Sequence, residues 1–108
     1  MSRLSPTQRT LALLRERGYL AVVVEKFNSR VGSYGIKQDL FGFGDVLAIK
    51  KGEILLVQTT TGAHLSNRVA KVQSSEHYPR VIESGIKVAV HGWRKLKAAG
   101  WECREIQL

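Results

Sequence analysis

The sequence predicts a single α/β domain in which a mixed sheet is covered by helices on both faces. Three observations lead there. The order of patterns along the chain is helix, three strands, helix, then one or two strands. The central segment 45–60 holds two apolar runs, Asp45–Ile49 and Glu53–Thr60, joined by Lys50-Lys51-Gly52. Short runs rich in Val, Ile and Leu, bounded by turn residues, read as strands buried on both faces, and the polar turn makes them a hairpin. At 108 residues, 44% hydrophobic and 24% charged, the chain fits one ordinary globular domain with a real core.

The first element is a helix. Ser5 suits the N-cap, Pro6 the first helical position and Gln8 the capping-box position, with Leu11 and Leu14 supplying the apolar stripe and Gly18 the stop. Tyr19–Phe27, β-branched and aromatic, predicts a first strand. The glycine- and serine-broken stretch Asn28–Gln38 predicts a basic loop. After the hairpin, a helical pattern starts near His64, with Leu65, Val69 and Val72 on one face and Arg68 and Lys71 as neighbours on another. Ser74-Ser75 breaks it. Glu76–Ser84 predicts a second helical piece, where Pro79 is tolerated in the first turn. Ile86–Trp93 predicts a strand, and Trp101–Leu108 a last edge strand paired across Lys95–Gly100.

Charge narrows the function. Seventeen Lys and Arg against nine Asp and Glu leave +8, an excess that favours a polyanionic partner, most often nucleic acid; plain solubility is the competing explanation. One cysteine excludes an internal disulfide and fits a reducing, cytoplasmic setting; no apolar run is long enough to span a membrane. There is no Walker loop, no dinucleotide fingerprint and no zinc-ligand spacing.

The hairpin carries the candidate site. Folding one strand back on the other sets Asp45 beside Gln58, and strand alternation puts Gln58 and Thr60 on one face with Thr59 on the other. An Asp opening one strand, followed by a turn and a strand ending in an acid-x-Lys pattern, is the signature of the PD-(D/E)XK nuclease superfamily. Gly44-Asp45 and Gln58-Thr59-Thr60 resemble its two halves. The resemblance extends over nearly the whole chain, to small phage and archaeal members that are similar to Holliday-junction resolvases or VRR-NUC proteins. It implies a restriction-endonuclease-like sheet of order α-β-β-β-α-β with a further edge strand, a Mg²⁺- or Mn²⁺-dependent endonuclease acting on DNA, and a homodimer in a bacterial, archaeal or phage-infected cell.

In this sequence the second acid of the pattern is Gln58, its lysine is Thr60, and a helix glutamate would fall near Gln8. The resemblance then assigns Asp45 as main metal ligand, the Gln58 side-chain oxygen and the Thr59 carbonyl as the rest of the set, and Thr60 as the residue near the attacking water. A set with one negative charge implies weak metal binding without substrate. Glu25 and Asp39 are further acids that could join the metal, though solvated strand-edge charges are the simpler role. Arg30, Lys37, Arg68 and Lys71 are the expected phosphate contacts. His64 is the histidine nearest the proposed site, and Trp93 and Trp101 could stack on bases or fill a core. The other function class is a catalytically inactive nucleic-acid-binding or assembly protein on the same fold.

Overall fold

Both faces of the central strands are apolar because helices cover both. In the computed structural model, which describes residues 4–28, 36–98 and 100–108, helix α1 (Pro6–Glu16) leads into strand β1 (Leu20–Val23). The capping box forms as the sequence predicts: Ser5 Oγ accepts from the Gln8 amide and Gln8 Oε1 accepts from the Ser5 amide. The predicted first strand stops early. Strands β2 (Lys26–Asn28) and β3 (Ile36–Gln38) instead form a separate two-stranded ribbon, so the segment predicted as loop ends in ordered backbone. The physical reason lies at Val24, whose amide makes the last bond of this strand, to the Asp45 carbonyl at 2.8 Å. Beyond it the polar pair Glu25-Lys26 leaves the sheet.

Strands β4 (Val46–Lys50) and β5 (Glu53–Thr61) are the expected hairpin, in the register Val46↔Val57 to Lys50↔Glu53. A 3₁₀ turn at Gly62–His64 leads into α2 (Leu65–Gln73), followed by α3 (Tyr78–Glu83). Strand β6 (Lys87–Leu96) runs three residues past its predicted end and turns back into β7 (Gly100–Gln107). The sheet order is β1-β4-β5-β6-β7, parallel only between β5 and β6. No described helix is long and apolar enough to cross a membrane.

The core is two-layered. On one face Leu14 of α1 packs on Ala21, Val46, Ala48, Leu55, Val57 and Ala89; on the other, Leu65, Val72 and Val81 of α2 and α3 pack with Phe43, Leu56, Val88 and Val90. Strand alternation sorts β5 between them: Leu55 and Val57 go one way, Leu56 the other. The approach is closest at Gly44, where a Cβ would lie 2.4 Å from Leu56 Cδ1. Because β5 and β6 are parallel, their carboxyl ends lie at the same end of the sheet, the usual place for a ligand in an α/β fold.

Candidate metal and nucleic-acid site

At that end a cleft of about 420 Å³ opens, lined by Ser5 to Thr7, Glu25, Asp39, Asp45, Gln58, Thr59, Arg68 and Lys71. Backbone pairing builds its floor. The ribbon register Lys26↔Gln38 brings Glu25 and Asp39 to face each other at the ribbon's base. The β1–β4 register, extended by the Val24–Asp45 bond, carries Glu25 to Asp45. The turn 40–44 fixes the remaining spacing: Gly44 N donates to Leu40 O at 2.8 Å, Gly42 N to Asp39 O at 3.0 Å, and Phe43 is fully buried beneath. Phe41 and Gly42 take left-handed backbone, with φ of 56° and 84°, so the chain reverses within this turn. Carboxylate oxygens of Glu25, Asp39 and Asp45 consequently lie within 4.8 Å of one another.

Asp45 is held through one of its two oxygens. Its Oδ2 accepts from Gln58 Nε2 at 2.7 Å, from the Thr59 amide at 2.8 Å and from Thr59 Oγ1 at 3.1 Å. Thr59 Oγ1 gives its one proton to Asp45, so the 2.7 Å contact with Thr7 Oγ1 has Thr7 as donor. This chain ties the first turn of α1 to the carboxylate. Gln58 spends its amide hydrogens on Asp45 and on the Thr59 carbonyl at 3.3 Å, leaving Oε1 buried without a partner among the described residues. A buried, unpartnered acceptor is costly unless something occupies it.

Burial raises the Asp45 carboxyl to about 7, helped by the Asp39 and Glu25 carboxylates and opposed by the Thr59 amide. Three carboxyls this close repel unless a proton or a cation sits among them; near a protein surface two charges 4 Å apart interact by about 4 kcal/mol. The donor set is all oxygen, the preference of hard divalent ions such as Mg²⁺ or Mn²⁺. The carboxylates of Glu25, Asp39 and Asp45 are the groups that fit such an ion.

The sequence-predicted residues divide as follows. Asp45, Gln58 and Thr59 come together as expected. The Thr59 carbonyl is engaged by Gln58 rather than turned free. Thr60 is buried two places further along the Gln58 face of β5, and Thr59 rather than Thr60 lines the cleft. Arg68 and Lys71 form a basic wall, with Lys71 Nζ 3.3 Å from Asp39 Oδ2. Lys37 lies on β3, and Arg30 lies outside the described residues. Gln8 serves the cap, and His64 is exposed away from the lining.

Two acids given a solvated role by the sequence, Glu25 and Asp39, complete the cluster, half-buried. The set therefore carries three carboxyl groups, not one. The available signal was their symmetry about a glycine-rich stretch: each flanks the predicted loop, where a hairpin would bring them face to face. His91 proves fully buried and Trp93 nearly so, neither of them in the cleft. Burial pushes the Cys103 thiol up to about 12, which removes it as a nucleophile at neutral pH. No protein-family model matches this sequence, and no curated protein matches it.

Proposed function

We propose that this chain is a divalent-cation-dependent phosphodiesterase acting on DNA, a restriction-endonuclease-like domain of the resolvase-like kind working in a reducing cytoplasm. One observation carries the reading: three carboxyl groups converge at the floor of a cleft whose wall is Arg68 and Lys71. A floor that attracts a cation beneath a wall that attracts phosphate is the arrangement phosphodiester hydrolysis requires. Bound Mg²⁺ or Mn²⁺ would lower the pKa of a water and stabilise charge developing on phosphate.

The chain's own residues do the rest. Glu25, Asp39 and Asp45 hold the ion. Gln58 Nε2, the Thr59 amide and the Thr59 hydroxyl keep the Asp45 carboxylate in one orientation. Arg68 and Lys71 neutralise the incoming phosphate and position it over the acids. Lys71, lodged beside Asp39, also supplies the cationic group that position 60, a threonine, does not.

The test is cleavage of branched and linear DNA with Mn²⁺ by the wild type and by Asp45→Asn and Asp39→Asn. Loss of cleavage in both variants with DNA binding intact is the expected result. Cleavage surviving in both would remove the acids from the reaction. The threonine at position 60 favours a second reading, a catalytically inactive DNA-binding protein on the same fold. Metal-independent binding with no cleavage of any DNA by the wild type would select it.

A further inference from the structure

A second cationic feature stands apart from the cleft, at the tip of the β6–β7 hairpin. Lys95 and Trp101 are directly opposite across the hairpin and so share a face. It is the face covered by α1, since Trp93, two residues before Lys95, donates through Nε1 to Thr10 Oγ1 of that helix at 2.9 Å. Arg9 of α1 lies over the Trp101 ring, with its guanidinium carbon 3.9 Å from the ring centroid. The Arg9 Nε is buried without a hydrogen-bond partner among the described residues, and the ring is what it packs on. Glu102, the acid at this tip, turns to the opposite face and pairs with Arg94 at 2.8 Å. The result is an Arg9–Trp101–Lys95 strip, continued by the exposed Lys97.

Trp101 is 43% exposed although a tryptophan here could have been packed inward, as Trp93 is at 8%. One ring face is backed by a cation that stiffens it and draws anions, and much of the residue stays exposed to solvent. The strip lies at the same end of the sheet as the cleft, because Thr59 aligns with His91 in the parallel pair and Lys95 is four residues further along β6. Strand rise and spacing put it on the order of 15 Å from Thr59. A flexible strand can cross that gap; a side-on phosphate contact from a rigid duplex gives a tryptophan nothing to stack on.

We propose that the Arg9–Trp101–Lys95 strip is a stacking platform for an unpaired base, so that the substrate is nucleic acid with a single-stranded segment running from the cleft over the β6–β7 tip. An exposed aromatic ring with flanking cations suits single strands, because every base offers a face and every linkage a phosphate. The proposal rests on the nucleic-acid reading above but not on catalysis.

The experiment is titration of the full chain in EDTA with oligothymidylate, following tryptophan fluorescence, with blunt duplex and polyglutamate as comparison ligands. Oligothymidylate should quench the exposed Trp101 and leave the buried Trp93 emission. Read by the anisotropy of end-labelled oligothymidylate, Trp101→Leu should bind it roughly ten-fold more weakly, the effect of losing one stacked base, and Trp101→Tyr should restore most of the affinity. No quenching of the wild type, equal binding by Trp101→Leu, or equal quenching by polyglutamate would overturn the platform. Quenching without any metal-dependent cleavage would retain the platform and count against the phosphodiesterase.

Discussion

Asp45 is where most of the site's organisation meets, and the hydroxyl of Thr59 is the part that can be removed most cleanly. Thr59→Val keeps the backbone donor to Asp45 Oδ2 but deletes the side-chain donor and the acceptor for Thr7. Groups that orient a metal-holding carboxylate are typically worth ten- to a hundred-fold in activity. A loss of that size in Mn²⁺-dependent cleavage is expected for Thr59→Val, against little change for Thr60→Val, and parallel rate assays of the two variants check it. Asp45 and Gln58 were legible in the sequence because a hairpin is a local object: the turn at Lys50-Lys51-Gly52 fixes which residues meet. Glu25 and Asp39 were not. Their meeting depends on a ribbon spanning 26–38, and glycine and serine in that span read equally well as loop. Gly44 makes a separate residue-scale point. A methyl group there would strike Leu56 in the closest part of the core, so Gly44→Ala should cost about 1–3 kcal/mol, read from the shift of the urea midpoint.

Helix α1 is fastened to the sheet by polar contacts as well as by Leu14. Trp93 Nε1 can only donate, so Thr10 Oγ1 accepts from it. The Glu105 carboxylate can only accept, which sets the hydrogen of neutral His91 on Nε2 and leaves Nδ1 to accept from Thr10 Oγ1, 3.1 Å away. Glu105, 3.3 Å from that Nε2, is gripped by Arg17 through both guanidinium nitrogens at 2.6 and 2.7 Å. Thr10→Val would strand two buried partners at about 1–3 kcal/mol each, and urea unfolding would register the sum. Burial lowers His91 from its ordinary 6.5 to about 4. The unfolded chain therefore binds the extra proton first as pH falls, and stability present above 6.5 is lost between 6.5 and about 4. The difference of some 2.5 pH units is worth on the order of 3 kcal/mol. The Asp45 carboxyl, raised to about 7, works in the opposite direction over the same range in the wild type and in His91→Gln alike. The loss is therefore read as a difference: from pH 7.5 to 4.5 the unfolding midpoint of the wild type should fall relative to that of His91→Gln. None of this was readable from a lone histidine in an alternating strand. The elements themselves were readable wherever apolar period and turn chemistry agreed, as in α1, β4 and β5. They failed at β1, where the Tyr19–Phe27 run kept its strand-like composition after its sheet partner had ended at Asp45.

At the scale of the molecule, +8 is distributed with a purpose if DNA is the partner. The acids of the floor sit at the one end of the sheet where the β2–β3 ribbon, α2 and the β6–β7 tip all converge, and each of those elements brings lysine or arginine. Binding to DNA should weaken steeply with salt, and Arg68→Ala and Lys71→Ala should each shallow the slope of log affinity against log salt by about one. Unchanged slopes would mean that α2 is not the phosphate wall. The parallel β5–β6 pair explains why a chain of this length can build a cleft at all: it directs two carboxyl ends, a helix start and a ribbon to one edge. Anomalous diffraction from crystals soaked in Mn²⁺ tests the metal site without relying on activity. A peak bounded by Glu25, Asp39 and Asp45 is expected, and it should disappear in Asp45→Asn. Strong Mn²⁺ peaks elsewhere, with none among those three carboxylates, would contradict it.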